Sequence, residues 1–179
     1  GAGTPAGCLC PVPAGHRPGL LQPEGCPRPG RTVVLLRLLR PQEYLDAMGA
    51  TGIRGLRAAV EAGVPVIIND RDPVSAELIR ENIALAGVPV EAIEQDANVL
   101  LSSRRFEVVD LDPFGTPAPY LDSACRSARR YLFATATDTA PLCGAHRKAG
   151  MRRYSAHLVK TEYHAEVGLR TLLGFIARS

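Results

Sequence analysis

The chain has 179 residues, 46% of them hydrophobic and 22% charged, which excludes a disordered or collagen-like chain and allows one packed α/β unit. Its longest apolar run, residues 32–39, is interrupted by Arg37 and falls short of the roughly 18 residues that span a bilayer, so no membrane association is expected. A formal charge of +3 permits a nucleic-acid partner without demanding one.

Five cysteines (Cys8, Cys10, Cys26, Cys125 and Cys143) make an odd set without the paired spacing of a zinc site or a disulfide framework, so no metal is indicated. No charged segment followed by an apolar run opens the chain, and reduced thiols in the cytoplasm are the expectation.

Residues 1–31 carry seven Gly, seven Pro, three of the five Cys and no Asp, Ile or Phe. This mixture has neither helical nor strand periodicity and reads as coil that fills no core. From Thr32 the pattern changes. Residues 33–39 predict a buried helix ending before Pro41, and apolar strands then alternate with amphipathic helices. Strands are predicted near 43–48, 64–69, 90–95, 106–111 and 131–137, and helices near 53–62, 73–86, 117–128 and 160–177. Such βαβαβ alternation implies a Rossmann-like α/β fold, a mostly parallel sheet with helices on both faces, because parallel neighbours need crossover connections. Ligands in such folds bind beyond the carboxyl ends of the strands, so the residues after each strand are the candidates for chemistry.

The first strand runs into Met48-Gly49-Ala50-Thr51-Gly52-Ile53-Arg54-Gly55. Glycines at intervals of three suit either a nucleotide-like ligand lying against backbone N–H groups or a tight turn with close helix packing. The second strand ends in Asn69-Asp70, and a carboxylate at this place binds both hydroxyls of a ribose. Its alternative role, capping the next helix, suits Asp72 better, because Pro73 follows at the first helical position. After the third strand, Asp96 beside Ala97 either accepts from an adenine amino group or caps a helix.

The fourth strand ends in Asp110-Leu111-Asp112-Pro113-Phe114-Gly115, similar to the D/N-P-P-Y/F motif of amino-group methyltransferases. In isolation the tetrapeptide is a plain turn. At the end of a central strand it fits an exocyclic amino nitrogen, a poor nucleophile whose lone pair is delocalised into the base. The Asp112 carboxylate and the Pro113 carbonyl accept its N–H hydrogens, and Phe114 stacks on the base, so orientation and partial charge neutralisation supply the rate.

These motifs together resemble one family, the tRNA (guanine-N2)-dimethyltransferases that modify guanosine 26 with S-adenosyl-L-methionine. The resemblance runs in order from Asp46 to Phe175 through the Ala-Thr-Gly-Ile-Arg-Gly turn, Asn69-Asp70, Asp96-Ala97-Asn98, Asp110 to Gly115, Thr135 to Gly144 and Glu162 to Arg170. It implies that Arg54, Asp70, Asp96 and Ala97 bind the methyl donor and that Asp112 is the catalytic carboxylate, with Phe114 beside the guanine. Asp138, after the fifth strand, is expected to line the same pocket.

Two departures stand out. The family has a V-F-Y-N-P segment and an N/D-R-D segment ahead of its first core helix, where this chain reads Gly19 to Arg31. Codons for these residues can be chosen so that a frame one nucleotide later spells Val-Phe-Tyr-Asn-Pro and then Leu-Asp-Arg-Asp-Val. A frameshift resolved near Thr32 is therefore expected, with residues 1–31 non-native and residues 32–179 the methyltransferase domain. Family members also continue into a C-terminal domain, whereas this chain stops at Ser179, so truncation at both ends is expected.

Between Asp138 and Glu162 lie Arg147, Lys148, Arg152, Arg153 and Lys160 with no acid among them. This stretch reads as a phosphate-binding surface for tRNA or as a solvated loop. A nicotinamide-dependent oxidoreductase also uses a glycine turn and an acid after the second strand, but leaves Asp112 to Gly115 unexplained. A methyltransferase of ribosomal RNA or DNA amino groups, and an inactive or RNA-binding-only fragment, are nearer alternatives. A Cys143–His164 nucleophilic pair has nothing in the sequence to bring it together, and His164 beside Tyr163 reads as structural.

Overall fold

The computed structural model describes residues 30–179. The expected coil over 1–31, the frameshift region and Cys8, Cys10 and Cys26 lie outside the described residues except at Gly30 and Arg31, and Arg31 already belongs to a helix. In chain order the elements are α1 (Arg31–Leu39), β1 (Tyr44–Asp46), α2 (Ile53–Arg57) continued by a π-helical turn over Ala58–Ala62, β2 (Val66–Asp70), α3 (Pro73–Ala86) and β3 (Val90–Glu94). Then follow α4 (Ala97–Ser103), β4 (Phe106–Leu111), α5 (Ala118–Ser127), β5 (Ala128–Ala134), α6 (Thr139–Leu142), α7 (Arg147–Tyr154) and α8 (His164–Ile176).

The five strands lie in the order β3-β2-β1-β4-β5, and every neighbouring pair is parallel. The direction of winding reverses between β1 and β4, which opens a crevice at their carboxyl ends, the place where open α/β sheets bind ligands. The two central strands are buried along their whole length, and their side chains alternate between two cores. Leu45, Val109 and Leu111 pack with Leu100, Leu121 and Ala124 on one side, and Tyr44 and Val108 pack with Leu36, Leu56, Ile68 and Ile79 on the other. Each such fully buried aliphatic side chain contributes about 1.5–3 kcal/mol.

The predicted elements are present with three differences. The fifth strand starts three residues earlier than expected, directly after α5, because Arg129 and Arg130 are tolerated on it: Arg129 pairs with Glu43 at 3.4 Å and Arg130 with Glu107 at 2.6 Å. The last helix begins at His164, not 160. The first helix buries only Val33 and Leu36, while Leu38 is 75% exposed, so it is a surface helix with one apolar stripe and not a buried one. Helices α4, α6 and α7 were not predicted. The first is announced by its cap, since Asp96 accepts from Asn98 and Val99 N–H; the other two are too short or too basic to show an apolar period.

No helix among the described residues is long and apolar enough to cross a membrane.

Candidate active site at the carboxyl ends of the strands

The turn after β1 is shaped by what lies beneath it. Gly52 sits at φ +77°, a conformation that favours glycine, and a Cβ on Gly55 would meet Ile68 Cγ1 at 2.5 Å. Close packing of α2 on β2 therefore accounts for Gly55. The turn is tied to the next strand by Gly49 N–H on the Asn69 carbonyl at 2.8 Å and by Ala50 N–H on Asp70 Oδ2 at 2.8 Å.

Asp70 also receives Asp72 N–H on Oδ1 at 2.9 Å. It is not a helix cap: Asp72 performs that role for α3, accepting from Ser75 N–H at 3.2 Å and Ser75 Oγ at 3.0 Å, as its sequence position before Pro73 predicts. Two backbone bonds fix the Asp70 carboxylate at the sheet edge and leave each oxygen a second lone pair. Beneath it, Asn69 is buried and spans three strands, donating to the Ala47 and Gln95 carbonyls at 3.0 Å each. Its Oδ1 is buried without a partner among the described residues. Asp96 uses Oδ1 as the cap of α4, and Ala97, the first residue of that helix, is buried in the core.

At the end of β4 the chemistry changes. Register pairing sets Asp46 beside Asp110, and Asp112, two residues on, continues the same face. Arg54 reaches across from α2, placing Nη2 on Asp112 Oδ2 and Nη1 3.4 Å from both oxygens of Asp110. Tyr44 donates its hydroxyl to Asp110 Oδ2 at 2.7 Å, and Asp46 Oδ2 accepts Gly55 N–H at 3.0 Å. Burial pushes the Asp46 carboxyl up to about 7, with Asp110 adding to the rise and Arg54 opposing it. Burial also raises Asp110, against the hydrogen bond from Tyr44 and the charge of Arg54. The guanidinium is driven down by its own burial, but the carboxylates around it, Asp110 first, prevail and raise it.

Beyond Asp112 the loop turns outward, and Phe114 is 86% exposed. Gly115 is held to the segment after β5: its N–H donates to Thr137 Oγ1 at 3.0 Å, and its carbonyl accepts Thr137 N–H at 2.9 Å. Asp138 lies here, its side chain 6% exposed, accepting Tyr154 Oη–H at 2.7 Å and Arg153 Nη1 at 3.0 Å. The structure thus gathers Arg54, Asp70, Asp112, Pro113 and Phe114 along one sheet edge, with Asp96 and Ala97 at the neighbouring strand end.

Sequence reasoning assigned no role to Tyr44, Asp110 or Tyr154. For the first two the signal is present: acids and a tyrosine at alternate positions of otherwise apolar central strands must share one face.

Four residues of the basic stretch lie on α7, Arg147, Lys148, Arg152 and Arg153, all exposed, and Lys160 lies beyond it. Among the described residues only Arg153 of the four is ion-paired, to Asp138. Cys143 is half-buried after α6 and His164 is exposed at the start of α8; no hydrogen bond joins them. No group of three or more His, Cys, Asp or Glu among the described residues is placed to hold a metal ion.

Residues 31–179 match the family model described as "N2,N2-dimethylguanosine tRNA methyltransferase". The chain is 60% identical over 169 residues to a protein from Methanosphaerula palustris named tRNA (guanine(26)-N(2))-dimethyltransferase, covering 94% of this chain and 46% of that protein. A protein of the same name from Methanoculleus marisnigri is 64% identical over 147 residues, 82% of this chain and 40% of its own length. Among solved structures, Trm1 from Pyrococcus horikoshii in complex with S-adenosyl-L-methionine superposes with a TM-score of 0.77 at 43% identity, covering 82% of this chain and 45% of that one. The chain spans less than half the length of these relatives.

Proposed function

The chain belongs to the N2,N2-dimethylguanosine tRNA methyltransferase family, and from that premise we propose that it transfers methyl groups from S-adenosyl-L-methionine to the exocyclic N2 of guanosine 26 in tRNA, in the cytoplasm. The observation that carries this reading is the open half of Asp112: Arg54 takes Oδ2, and Oδ1 has no partner among the described residues, with the exposed Phe114 ring two residues away.

The residues present fit the donor. Asp70 has spare acceptor capacity for ribose hydroxyls, and the unsatisfied Asn69 Oδ1 lies at the same sheet edge, where a buried acceptor without a partner calls for one. When bound, S-adenosyl-L-methionine supplies an electrophilic methyl group on a sulfonium. Asp70 and Asp96 would hold it, with small Ala97 and the Arg54 guanidinium as the other residues that would line its site. Asp112 Oδ1 and the Pro113 carbonyl hold the two N2 hydrogens, which steers the nitrogen lone pair toward the methyl carbon, and Phe114 stacks on the ring. Asp112, open to water, takes the proton that N2 sheds. The basic face of α7 binds phosphates beside the site, and extrusion of the base from its stack costs a few kcal/mol.

Isotope-labelled donor, a tRNA transcript and nucleoside analysis test this. Label is expected on guanine N2, and is expected to vanish when guanosine 26 is replaced; label that persists overturns the site assignment. A chain that binds the transcript through α7 without transferring label instead acts as an RNA-binding segment. The frameshift over residues 19–31 is part of the same proposal. Resequencing the gene checks it, and an unaltered frame matched by the mass of the native protein ends it.

A further inference from the structure

Three carboxylates, Asp46, Asp110 and Asp112, crowd around one guanidinium at the switch point of the sheet. An arginine meeting a single carboxylate prefers a two-pronged pair in which both nitrogens engage both oxygens. Arg54 does not do this. Its prongs are divided, Nη2 to Asp112 and Nη1 to Asp110, and Asp110 is itself fixed by the Tyr44 hydroxyl at 2.7 Å. Asp110 is 1% exposed and Tyr44 fully buried, so neither meets a bound base. Asp46 does not compete for the guanidinium, because its carboxylate accepts Gly55 N–H and its proton is held to about pH 7 by burial, ahead of the charge of Asp110.

We propose that Asp110, oriented by Tyr44, is a positioning residue: by engaging Arg54 Nη1 it keeps the Arg54–Asp112 pair single-pronged and leaves Asp112 Oδ1 free to accept the guanine amino hydrogen. This rests on the methyl-transfer reading above and adds a specific requirement to it. Each carboxylate oxygen offers about two acceptor sites; a two-pronged Arg54 would take one of those on Asp112 Oδ1 and fix the carboxylate against the guanidinium, and the division of the guanidinium leaves both for the amino hydrogen. Without Asp110 the same arginine closes on both Asp112 oxygens.

The test is a double-substitution cycle in the full chain, with kcat and KM for tRNA and donor measured for Asp110→Asn, Arg54→Lys and the pair. Asp110→Asn is expected to lower kcat roughly tenfold or more, with a smaller change in KM for tRNA, the pattern of an interaction realised in the transition state. A lysine has no planar fork, so Arg54→Lys, harmful by itself, is expected to restore part of kcat in the Asp110→Asn background. Losses that simply add overturn the proposal. If Asp110→Asn does not fold, Tyr44→Phe, which keeps the ring, is expected to give a smaller loss of the same kind, and an unchanged kcat overturns the proposal. The ¹⁵N–¹H spectrum of the Arg54 guanidinium needs no turnover. Its two Nη groups are expected to shift in Asp110→Asn or Tyr44→Phe, and unmoved signals overturn the proposal. A chain that transfers no label with any variant sinks the enzymatic reading instead, and the Arg54 spectrum still decides whether Asp110 holds the guanidinium.

Discussion

The Tyr154 hydroxyl stands 2.7 Å from Asp138 Oδ1 and 2.8 Å from Thr116 Oγ1, so a buried ring at the end of the basic helix α7 joins the loop after β4, which carries Asp112, to the segment after β5. Thr116 follows Gly115 directly and also receives Ala118 N–H at 3.3 Å, at the start of α5. The Tyr154 phenol is raised above its usual range by burial and then by the hydrogen bond to Asp138, so it remains a neutral donor. Its ring meets Phe175 of α8 edge-on at 5.7 Å between centroids.

Tyr154→Phe keeps that ring contact and removes only the hydroxyl, leaving a nearly buried carboxylate oxygen short of a partner. The expected loss is about 1–3 kcal/mol in denaturant unfolding. Because the substitution loosens the loop that carries Phe114, a fall in kcat is expected as well. An unchanged unfolding midpoint shows that water replaces the hydroxyl without penalty.

Asp70→Ala is expected to abolish S-adenosyl-L-methionine binding in a calorimetric titration, and Asp70→Asn to weaken it. The alanine variant also loses the bonds to Ala50 and Asp72 N–H, so circular dichroism must accompany the titration. A folded Asp70→Ala chain that binds the donor as the unsubstituted chain does moves the ribose site elsewhere.

The strands and the order of the motifs were legible because both rest on local pattern: strands such as Phe106–Leu111 are mostly apolar on both faces, and short acid-bearing motifs follow them. What was not legible is contact across the chain. Arg54 lies 56 residues from Asp110 and 58 from Asp112, and nothing local announces that one guanidinium serves both. Tyr154 carries no local signal either, because α7 exposes Arg147, Lys148, Arg152 and Arg153 and buries chiefly Gly150 and Tyr154, too few apolar positions to produce a period. The fifth strand was misplaced by three residues for a related reason. Charge suggests solvent, whereas Arg129 and Arg130 are neutralised by Glu43 and Glu107 from other elements.

Asp46 makes stability depend on pH. Its carboxyl titrates near 7 in the folded chain, raised by burial ahead of Asp110, and near 4 when unfolded. Folded Asp46 thus retains a proton that the unfolded chain has released. Its stabilising contribution is complete below about pH 4 and is lost as pH rises toward about 7, with a slope on the order of 1 kcal/mol per pH unit. Groups shifted downward, such as Glu107 through the Gln42 N–H bond and Asp72 through its bonds to Ser75, act at lower pH with opposite sign, whereas Asp110, also raised by burial, acts with the same sign, so the share of the slope that belongs to Asp46 is the part its own substitution removes. Asp46→Asn is expected to flatten the fall in unfolding free energy over that rise in pH. A slope equal to that of the unsubstituted chain shows that Asp46 is ionised when folded.

The exposed face of α7 makes a prediction about salt. Arg147, Lys148 and Arg152 have no ion-pair partner among the described residues, whereas Arg153 is held by Asp138 at 3.0 Å. A cation that neutralises an RNA phosphate releases counterions, so removing it lowers the slope of log affinity against log salt by about 0.7–0.9 per contact. Alanine at Arg147, Lys148 or Arg152 is expected to reduce that slope for tRNA by about this amount wherever the residue meets a phosphate. Arg153→Ala is expected to change the slope less, because its charge is already compensated within the protein, and to cost stability by leaving Asp138 Oδ2 uncompensated beside Tyr154. Binding isotherms at several salt concentrations decide between the two patterns. If the Arg147, Lys148 and Arg152 substitutions all leave the slope intact, α7 is a solvated helix and the RNA lies on another face; if Arg153 alone lowers it, the Asp138 pair opens when RNA binds.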